Sequence, residues 1–134
     1  MINELENILI VCPKALVAER KWELEMKRFD EDFVSLDGEL FRQILSDTDR
    51  DGEWPVRYNK AIIPYSILDG RAYNGEMSKK GKRFGLKDLD PAPHFDLVII
   101  DEAHHIRNGS MDKEKAFEYK CVKYFCDHAD AVVM

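Results

Sequence analysis

Short apolar runs alternate along this chain with stretches of helical periodicity, and this alternation is what most restricts its fold. Four runs have the length and residue types of strands, and the first, which stops abruptly at Cys12-Pro13, is typical of a strand buried on both faces. The four runs are Ile8–Val11, Ala61–Ile63, Leu97–Ile100 and Ala131–Met134. Strands separated by helices generally pair in parallel, with the helices packed on the faces of the sheet. We therefore predict an α/β fold with a mainly parallel sheet.

Three stretches between these runs carry apolar residues at spacings of three and four, which is typical of one helical face. The first follows the first strand and places these residues together: Ala15, Ala18, Trp22, Met26 and Phe29. The second is a short helix over Leu40–Leu45, which we expect to end in the polar stretch 46–52. The third runs from about Met111 to His128 and places Phe117, Cys121, Phe125 and His128 on one face.

The charge distribution is uneven. The chain has 134 residues, enough for one domain at most, and a net charge of -6, which argues against a nucleic-acid binder. The segment Arg71–Lys87 nevertheless holds six basic residues and one acid, a balance of +5, so the remainder carries -11. We predict a basic loop or insertion over 71–87. It is either a solvated surface loop or a contact for nucleic-acid phosphates, made by Lys79, Lys80, Lys82 and Arg83.

The sequence carries no signal for secretion or membrane insertion. No apolar run approaches the roughly 20 residues that span a bilayer, and no basic and apolar leader follows Met1. We expect a cytoplasmic protein, or a nuclear one in a eukaryote, with no membrane partner. The three cysteines are expected to be reduced thiols. Cys121 and Cys126 diverge on a helix, so no zinc site is expected. His94, directly after Pro93, is interpreted as a loop residue and not as a ligand.

The segment Leu97–His104 is the most informative for chemistry, because four apolar residues are followed at once by two acids. In α/β sheets, functional groups lie where strands reach their carboxyl ends. An aspartate there can help to hold Mg²⁺ on nucleotide phosphates, and a neighbouring carboxylate can deprotonate an attacking water. An exposed acidic turn after a core strand is the plainer alternative for Asp101 and Glu102.

The tetrapeptide Asp101-Glu102-Ala103-His104 resembles the Walker B motif of superfamily-two helicases and translocases in its DEAH form. The continuation His105–Asn108 resembles the Swi/Snf-type branch of that superfamily. Ile8–Lys14, with Trp22 in the helix behind it, is similar to motif Ia of the same branch. Ala61–Ser66 resembles the strand and Tyr-Ser motif that lies between motif Ia and the DEAH box. The resemblance covers about residues 8–134.

This resemblance implies a three-layer RecA-like fold of the P-loop NTPase class. Residues 1–134 would form part of the first, ATP-binding lobe of a motor, incomplete at both ends. The motor would use ATP and Mg²⁺ to move along nucleic acid, and duplex DNA is the expected partner. The second expected partner is another RecA-like lobe of the same parent chain. The resemblance also implies roles for individual residues. Asp101 would bind Mg²⁺ through water, Glu102 would be the catalytic base, and His104 would couple the nucleotide site to neighbouring motifs or the second lobe. The residues expected near the nucleic-acid backbone are Pro13, Lys14, Tyr65 and Ser66.

The chain also departs from the pattern of that superfamily. No G-x-x-x-x-G-K-[ST] phosphate-binding loop occurs in it, and we expect this loop upstream of Met1. The Ser/Thr-Ala-Thr motif is expected just after Met134, and the second lobe would supply the arginine finger. We therefore expect these 134 residues alone to be inactive. Two alternatives stay open: a pseudo-ATPase that serves as an interaction module, and the motor subunit of a restriction system.

Overall fold

The computed structural model describes residues 5–103 and 113–134, which contain seven strands. In chain order these are β1 Ile8–Cys12, β2 Val34–Ser35, β3 Lys60–Pro64, β4 Glu76–Ser78, β5 Gly81–Arg83, β6 Phe95–Ile100 and β7 Ala129–Val133. Five of them form one sheet in the order β2-β3-β1-β6-β7, and each of these pairings is parallel. The predicted parallel α/β sheet is confirmed. The remaining two, β4 and β5, form a separate antiparallel hairpin.

Helices cover both faces of the parallel sheet. In chain order they are α1 Lys14–Ala18, α2 Lys21–Lys27, α3 Gly38–Asp51, α4 Gly70–Asn74 and α5 Lys113–Asp127, with short 3-10 turns at Val56–Tyr58, Tyr65–Ile67 and Leu86–Asp88. Residues of α1 and α2 pack on one face, and residues of α3, α4 and α5 pack on the other. The described residues thus form three layers.

The central position of β1 in the sheet explains why its residues are apolar without interruption. Ile8, Ile10 and Cys12 point to the α1–α2 layer, whereas Leu9 and Val11 point to the α3–α5 layer. Because successive side chains of a strand alternate between its faces, a strand covered on both sides needs apolar residues at every position. All five residues of β1 are buried, as this reasoning requires.

Two helix predictions need correction. The helix predicted over residues 15–29 is broken between α1 and α2, because Arg20 adopts a left-handed backbone with φ of 59°. Phe29 consequently lies beyond the end of α2 and is 64% exposed instead of buried. The helix over residues 40–45 continues through the polar stretch to Asp51 and ends at Gly52, whose φ is 78°. Thr48, the buried polar residue of this stretch, is accommodated because its hydroxyl donates a hydrogen bond to the carbonyl of Ile44.

The basic segment 71–87 is more regular than a loop. It contains most of α4, the β4–β5 hairpin and a 3-10 turn, and it buries Ala72 and Leu86. Gly75 has a φ of 81°, and a Cβ placed on it would collide with the carbonyl oxygen of Arg83. The two ends of the hairpin can therefore approach each other only with glycine at this position.

The described residues include no helix long and apolar enough to cross a membrane. At one side of the sheet β7 is an edge strand, and Val132 and Val133 on it are exposed among the described residues.

Candidate functional site

The carboxyl ends of β1 and β6 form the point where the sheet topology reverses. These two strands are neighbours, but the chain leaves β1 towards β2 on one side of the sheet and leaves β6 towards β7 on the other. Loops that diverge in this way open a crevice between two strand ends, which is where α/β sheets bind ligands. Pro13 and Lys14 follow β1 at this crevice, and Asp101 and Glu102 follow β6. The structure therefore brings together the two segments that the sequence singled out.

The carboxylate of Asp101 is held by α2. The indole Nε1 of Trp22 donates a hydrogen bond of 2.7 Å to its Oδ2, and Nζ of Lys21 lies 3.5 Å from the same oxygen. The Asp101 side chain is 18% exposed, so these contacts are partly shielded from water. A charged acceptor makes such a hydrogen bond stronger than one between neutral groups.

The backbone of Asp101 is fixed from two further strands. Its N–H donates to the carbonyl of Val11 on β1 at 2.8 Å, and its own carbonyl accepts a 2.8 Å hydrogen bond from the Tyr65 hydroxyl. Tyr65 follows β3 and is only 2% exposed. The ring of Tyr65 is therefore part of the core and its hydroxyl positions Asp101, whereas the proximity of Tyr65 to nucleic acid stays a prediction.

Glu102 adopts an unusual backbone conformation. Its φ is 54°, in the left-handed region that non-glycine residues seldom occupy, and its side chain is exposed. Such conformations are concentrated at functional sites, where the surrounding structure sustains them. The left-handed residue turns the chain sharply after Asp101, so the two adjacent acids do not continue the strand. The third predicted residue of this motif, His104, lies outside the described residues.

Lys14 and Ser66 are exposed at the same edge of the sheet, where β1 and β3 end. Pro13 directly precedes α1 and has an extended backbone, with φ of -60° and ψ of 148°. Ser66 lines a recess of about 170 Å³ beside the start of α3, together with Arg42 and Arg71. Neither arginine was predicted as a site residue, although Arg71 lies in the basic segment.

The four basic hairpin residues are all exposed. Lys79 and Lys80 form the turn, and Lys82 and Arg83 lie on β5. Lys82 is 3.4 Å from the carboxylate of Asp88, and Arg83 lines a recess of about 300 Å³ against α3. The hairpin thus lies with the α3–α5 layer, whereas Lys14 begins the helix on the opposite layer.

The crevice offers a carboxylate that could bind Mg²⁺, but the chain has no loop that could hold the phosphates of ATP. A carboxylate such as that of Asp101 is the hard oxygen ligand that Mg²⁺ prefers. Its Oδ2 is engaged by Trp22 and Lys21, so this oxygen would have to exchange partners to bind a cation. No glycine-rich loop that could hold the phosphates occurs in the sequence.

The hydrogen bond from Trp22 to Asp101 was not predicted, since the position of Trp22 on the helical stripe chiefly indicated core packing. A signal for this hydrogen bond does exist, because an indole N–H that becomes buried normally finds an acceptor. The second tryptophan follows the same rule: Trp54 donates to the carbonyl of Tyr58 at 2.8 Å.

Replacing Trp22 with phenylalanine should lower the free energy of unfolding by about 1.5–3 kcal/mol, the range for a hydrogen bond to a charged group. Urea unfolding of the single variants and of W22F combined with D101N measures how the two residues are coupled. We expect a coupling above about 1 kcal/mol for this pair. W54F combined with D101N is the matched control and should be additive. Additivity in both pairs would show that the hydrogen bond between Trp22 and Asp101 does not stabilise the fold.

The free energy of unfolding should depend on pH through the thiol of Cys12. Burial raises the pKa of its thiol to about 12, the charge of Asp101 adds to this rise, and Lys21 opposes it. The thiol of an unfolded chain has a pKa near 9. Between these values the native state binds more protons than the unfolded state, so stability is complete below about pH 9 and falls as the pH rises.

We therefore expect Cys12→Ala to show a shallower loss of stability than the wild type above about pH 9, by up to about 1.4 kcal/mol per pH unit. Urea unfolding at about pH 8, 9 and 10 tests this. The difference between the two proteins isolates Cys12 from the other groups that titrate in this range. If the stabilities of the two proteins fall with pH in parallel, Cys12 does not contribute in this way.

The expectation that the three cysteines are free thiols is confirmed.

A scan against protein-family models finds no family that matches this chain, and a search of curated proteins finds no match.

Proposed function

We propose that this chain is part of the first RecA-like lobe of a superfamily-two, Swi/Snf-type motor that couples ATP hydrolysis to movement along nucleic acid, with duplex DNA as the expected track. The observation that carries the proposal is the position of Asp101 and Glu102. They follow β6 where the topology of a parallel sheet reverses, next to the segment Pro13–Lys14 that follows β1. The motif resemblance and the geometry therefore favour the same edge of the sheet.

In this proposal, the residues of the crevice have separate tasks. Asp101 orients a divalent cation, and Glu102 accepts a proton from the attacking water. Bound Mg²⁺-ATP would supply the phosphoryl group and neutralise the charge that develops on it. Tyr65 and Val11 fix the backbone that carries the carboxylate, so the acid is positioned before a ligand arrives.

Nucleic acid would be bound by exposed cations at two places. Lys14 lies at the crevice, where a lysine can contact phosphate oxygens, and Ser66 lies at the same edge beside Arg42 and Arg71. The basic β4–β5 hairpin would supply the second group of contacts. Binding of this kind follows the charge of the backbone and is sensitive to salt.

Neutralising the four hairpin cations tests this second group. In the complete polypeptide, glutamine at Lys79, Lys80, Lys82 and Arg83 should weaken DNA binding. The slope of log affinity against log salt should fall by about 0.9 for each phosphate that the hairpin no longer neutralises. The matched control neutralises four exposed cations that already have acidic neighbours, namely Arg20, Arg28, Arg50 and Lys123. An unchanged slope would identify the hairpin as solvated surface.

Two other functions compete with this proposal. In a pseudo-ATPase that acts as an interaction module, Trp22 and Lys21 would hold Asp101 permanently, and the observed hydrogen bond favours this alternative. The motor subunit of a restriction system would share the same motifs. The sequence of the source gene on both sides of this segment separates motor from module: a Gly-Lys-Ser/Thr loop upstream supports a motor, and a degenerate loop supports the module.

A further inference from the structure

An imidazole and two carboxylates lie together at the amino end of the sheet, where the proposed function uses no residue. His94, Asp96 and Asp130 each offer one ligand atom, and these atoms all lie within 4.8 Å of one another. His94 precedes β6, Asp96 is the second residue of β6, and Asp130 is the second residue of β7. Two neighbouring parallel strands thus bring these three residues together.

The three side chains lie close enough together to surround an ion after small side-chain movements. The Nε2 atom of His94 is 2.8 Å from Oδ1 of Asp130. Zinc lies about 2.0–2.2 Å from nitrogen and oxygen ligands, so two ligands in tetrahedral geometry are roughly 3.3 Å apart. Both side chains are more than half exposed, at 56% and 68%. They can therefore separate by the small distance needed without disturbing the core.

Asp96 is held in place by groups outside this cluster. Its Oδ2 accepts hydrogen bonds from the backbone N–H of Glu6 at 2.8 Å and of Asn7 at 2.9 Å. These bonds engage one oxygen and orient the other, as the outer partners of metal-bound carboxylates do.

The backbone on both sides of the cluster is also fixed. The side chain of Asn7 donates to the carbonyl of His94 at 3.3 Å, and the N–H of Phe95 donates to the carbonyl of His128 at 2.9 Å. His94 also lines a recess of about 610 Å³ that Glu6 and Asn7 share. An ion at this place would be reachable from solvent, and water could complete its coordination.

We propose that His94, Asp96 and Asp130 bind one divalent transition-metal ion, with Zn²⁺ as the ion that fits best. Two carboxylates beside an imidazole form a ligand set that suits a dication. The nitrogen ligand favours zinc and its neighbours over Mg²⁺ and Ca²⁺, which prefer oxygen alone. The ion would clamp the edge strand β7 to β6 at the end of the sheet opposite Asp101.

Calorimetric titration of the metal-free 134-residue chain with Zn²⁺ tests the proposal. We expect one equivalent to bind, and we expect His94→Ala and Asp130→Asn each to weaken binding at least about tenfold. Asp127→Asn, which removes an exposed carboxylate paired with Lys123 on α5, is the matched control and should bind zinc as the wild type does. Circular dichroism verifies that each variant is folded.

Two further readouts separate this site from other ligands in the chain. Zn²⁺ should raise the melting temperature of the wild type and leave that of Asp130→Asn unchanged, because an ion that binds only the native state stabilises it. Co²⁺ should give a visible spectrum without thiolate charge-transfer bands. Undiminished binding by His94→Ala, or a thiolate band, would place the ion elsewhere and overturn the proposal. None of these outcomes depends on ATP hydrolysis.

Discussion

Glu102→Gln is expected to lower ATP hydrolysis by the complete polypeptide about 10²- to 10⁴-fold, the contribution of a positioned general base. Glutamine has nearly the same size and hydrogen-bonding reach, but it cannot accept the proton of the attacking water. The exposed position of Glu102 means that the substitution disturbs no packing. Steady-state ATP hydrolysis in the presence of duplex DNA is the measurement, and affinity for ATP should change little.

Two comparisons make this result interpretable. Glu25→Gln removes another exposed carboxylate, which lies on α2 at 3.4 Å from Arg28, and should leave the rate unchanged. The purified 134-residue chain should neither bind ATP tightly nor hydrolyse it, because its sequence has no phosphate-binding loop. A complete polypeptide that retains its full rate with Glu102→Gln would remove the base from the proposed mechanism. Turnover by the short chain, abolished by the same substitution, would show that the loop is dispensable.

Phe125→Ala should remove about 3–5 kcal/mol from the free energy of unfolding. Phe125 on α5 is fully buried and packs edge-to-face against Phe95 of β6, with ring centroids 5.8 Å apart, and against Phe41 of α3 at 6.5 Å. Its removal would leave a cavity where three elements meet. Total stabilities of such domains are about 5–15 kcal/mol, so the variant would be close to unfolding.

Phe29→Ala is the control of identical chemistry. Phe29 is 64% exposed beyond the end of α2, so its removal should change stability by less than about 0.5 kcal/mol. Urea unfolding of both variants gives the comparison. Equal losses would mean that the aromatic cluster between the sheet and α5 does not stabilise the fold as its burial indicates.

The sheet could be predicted from the sequence because burial on both faces leaves an unmistakable apolar run. β1, β3 and β6 each correspond to such a run. β7 also follows an apolar run, but its described residues are largely exposed at the edge of the sheet, so burial on both faces does not account for it. The same reasoning failed at Arg20, since a left-handed residue in the middle of a helical pattern leaves no trace in periodicity. It also failed at α3, because a run of polar residues indicates the end of a helix even where the helix continues with its polar side exposed.

The site could be predicted only in part, for a related reason. The position of Asp101 and Glu102 at a strand end could be predicted because they directly follow an apolar run. The hydrogen bonds of Trp22 and Tyr65 to Asp101 were missed because they join residues 79 and 36 positions apart in the sequence. Hydrogen bonds of this kind depend on strand order, which local patterns do not contain. The His94 cluster was missed likewise, because it requires β6 and β7 to be neighbours.

The three strands and the helix that meet at Asp101 restrict the motion of this residue to its side chain. Its N–H and its carbonyl are tied to β1 and to Tyr65, so the main chain cannot shift without breaking the sheet edge. What remains is rotation of the carboxylate about its own side-chain bonds, and α2 holds that rotation through Trp22. A displacement of α2 would therefore rotate the carboxylate of Asp101, while the backbone of Asp101 and the sheet keep their positions.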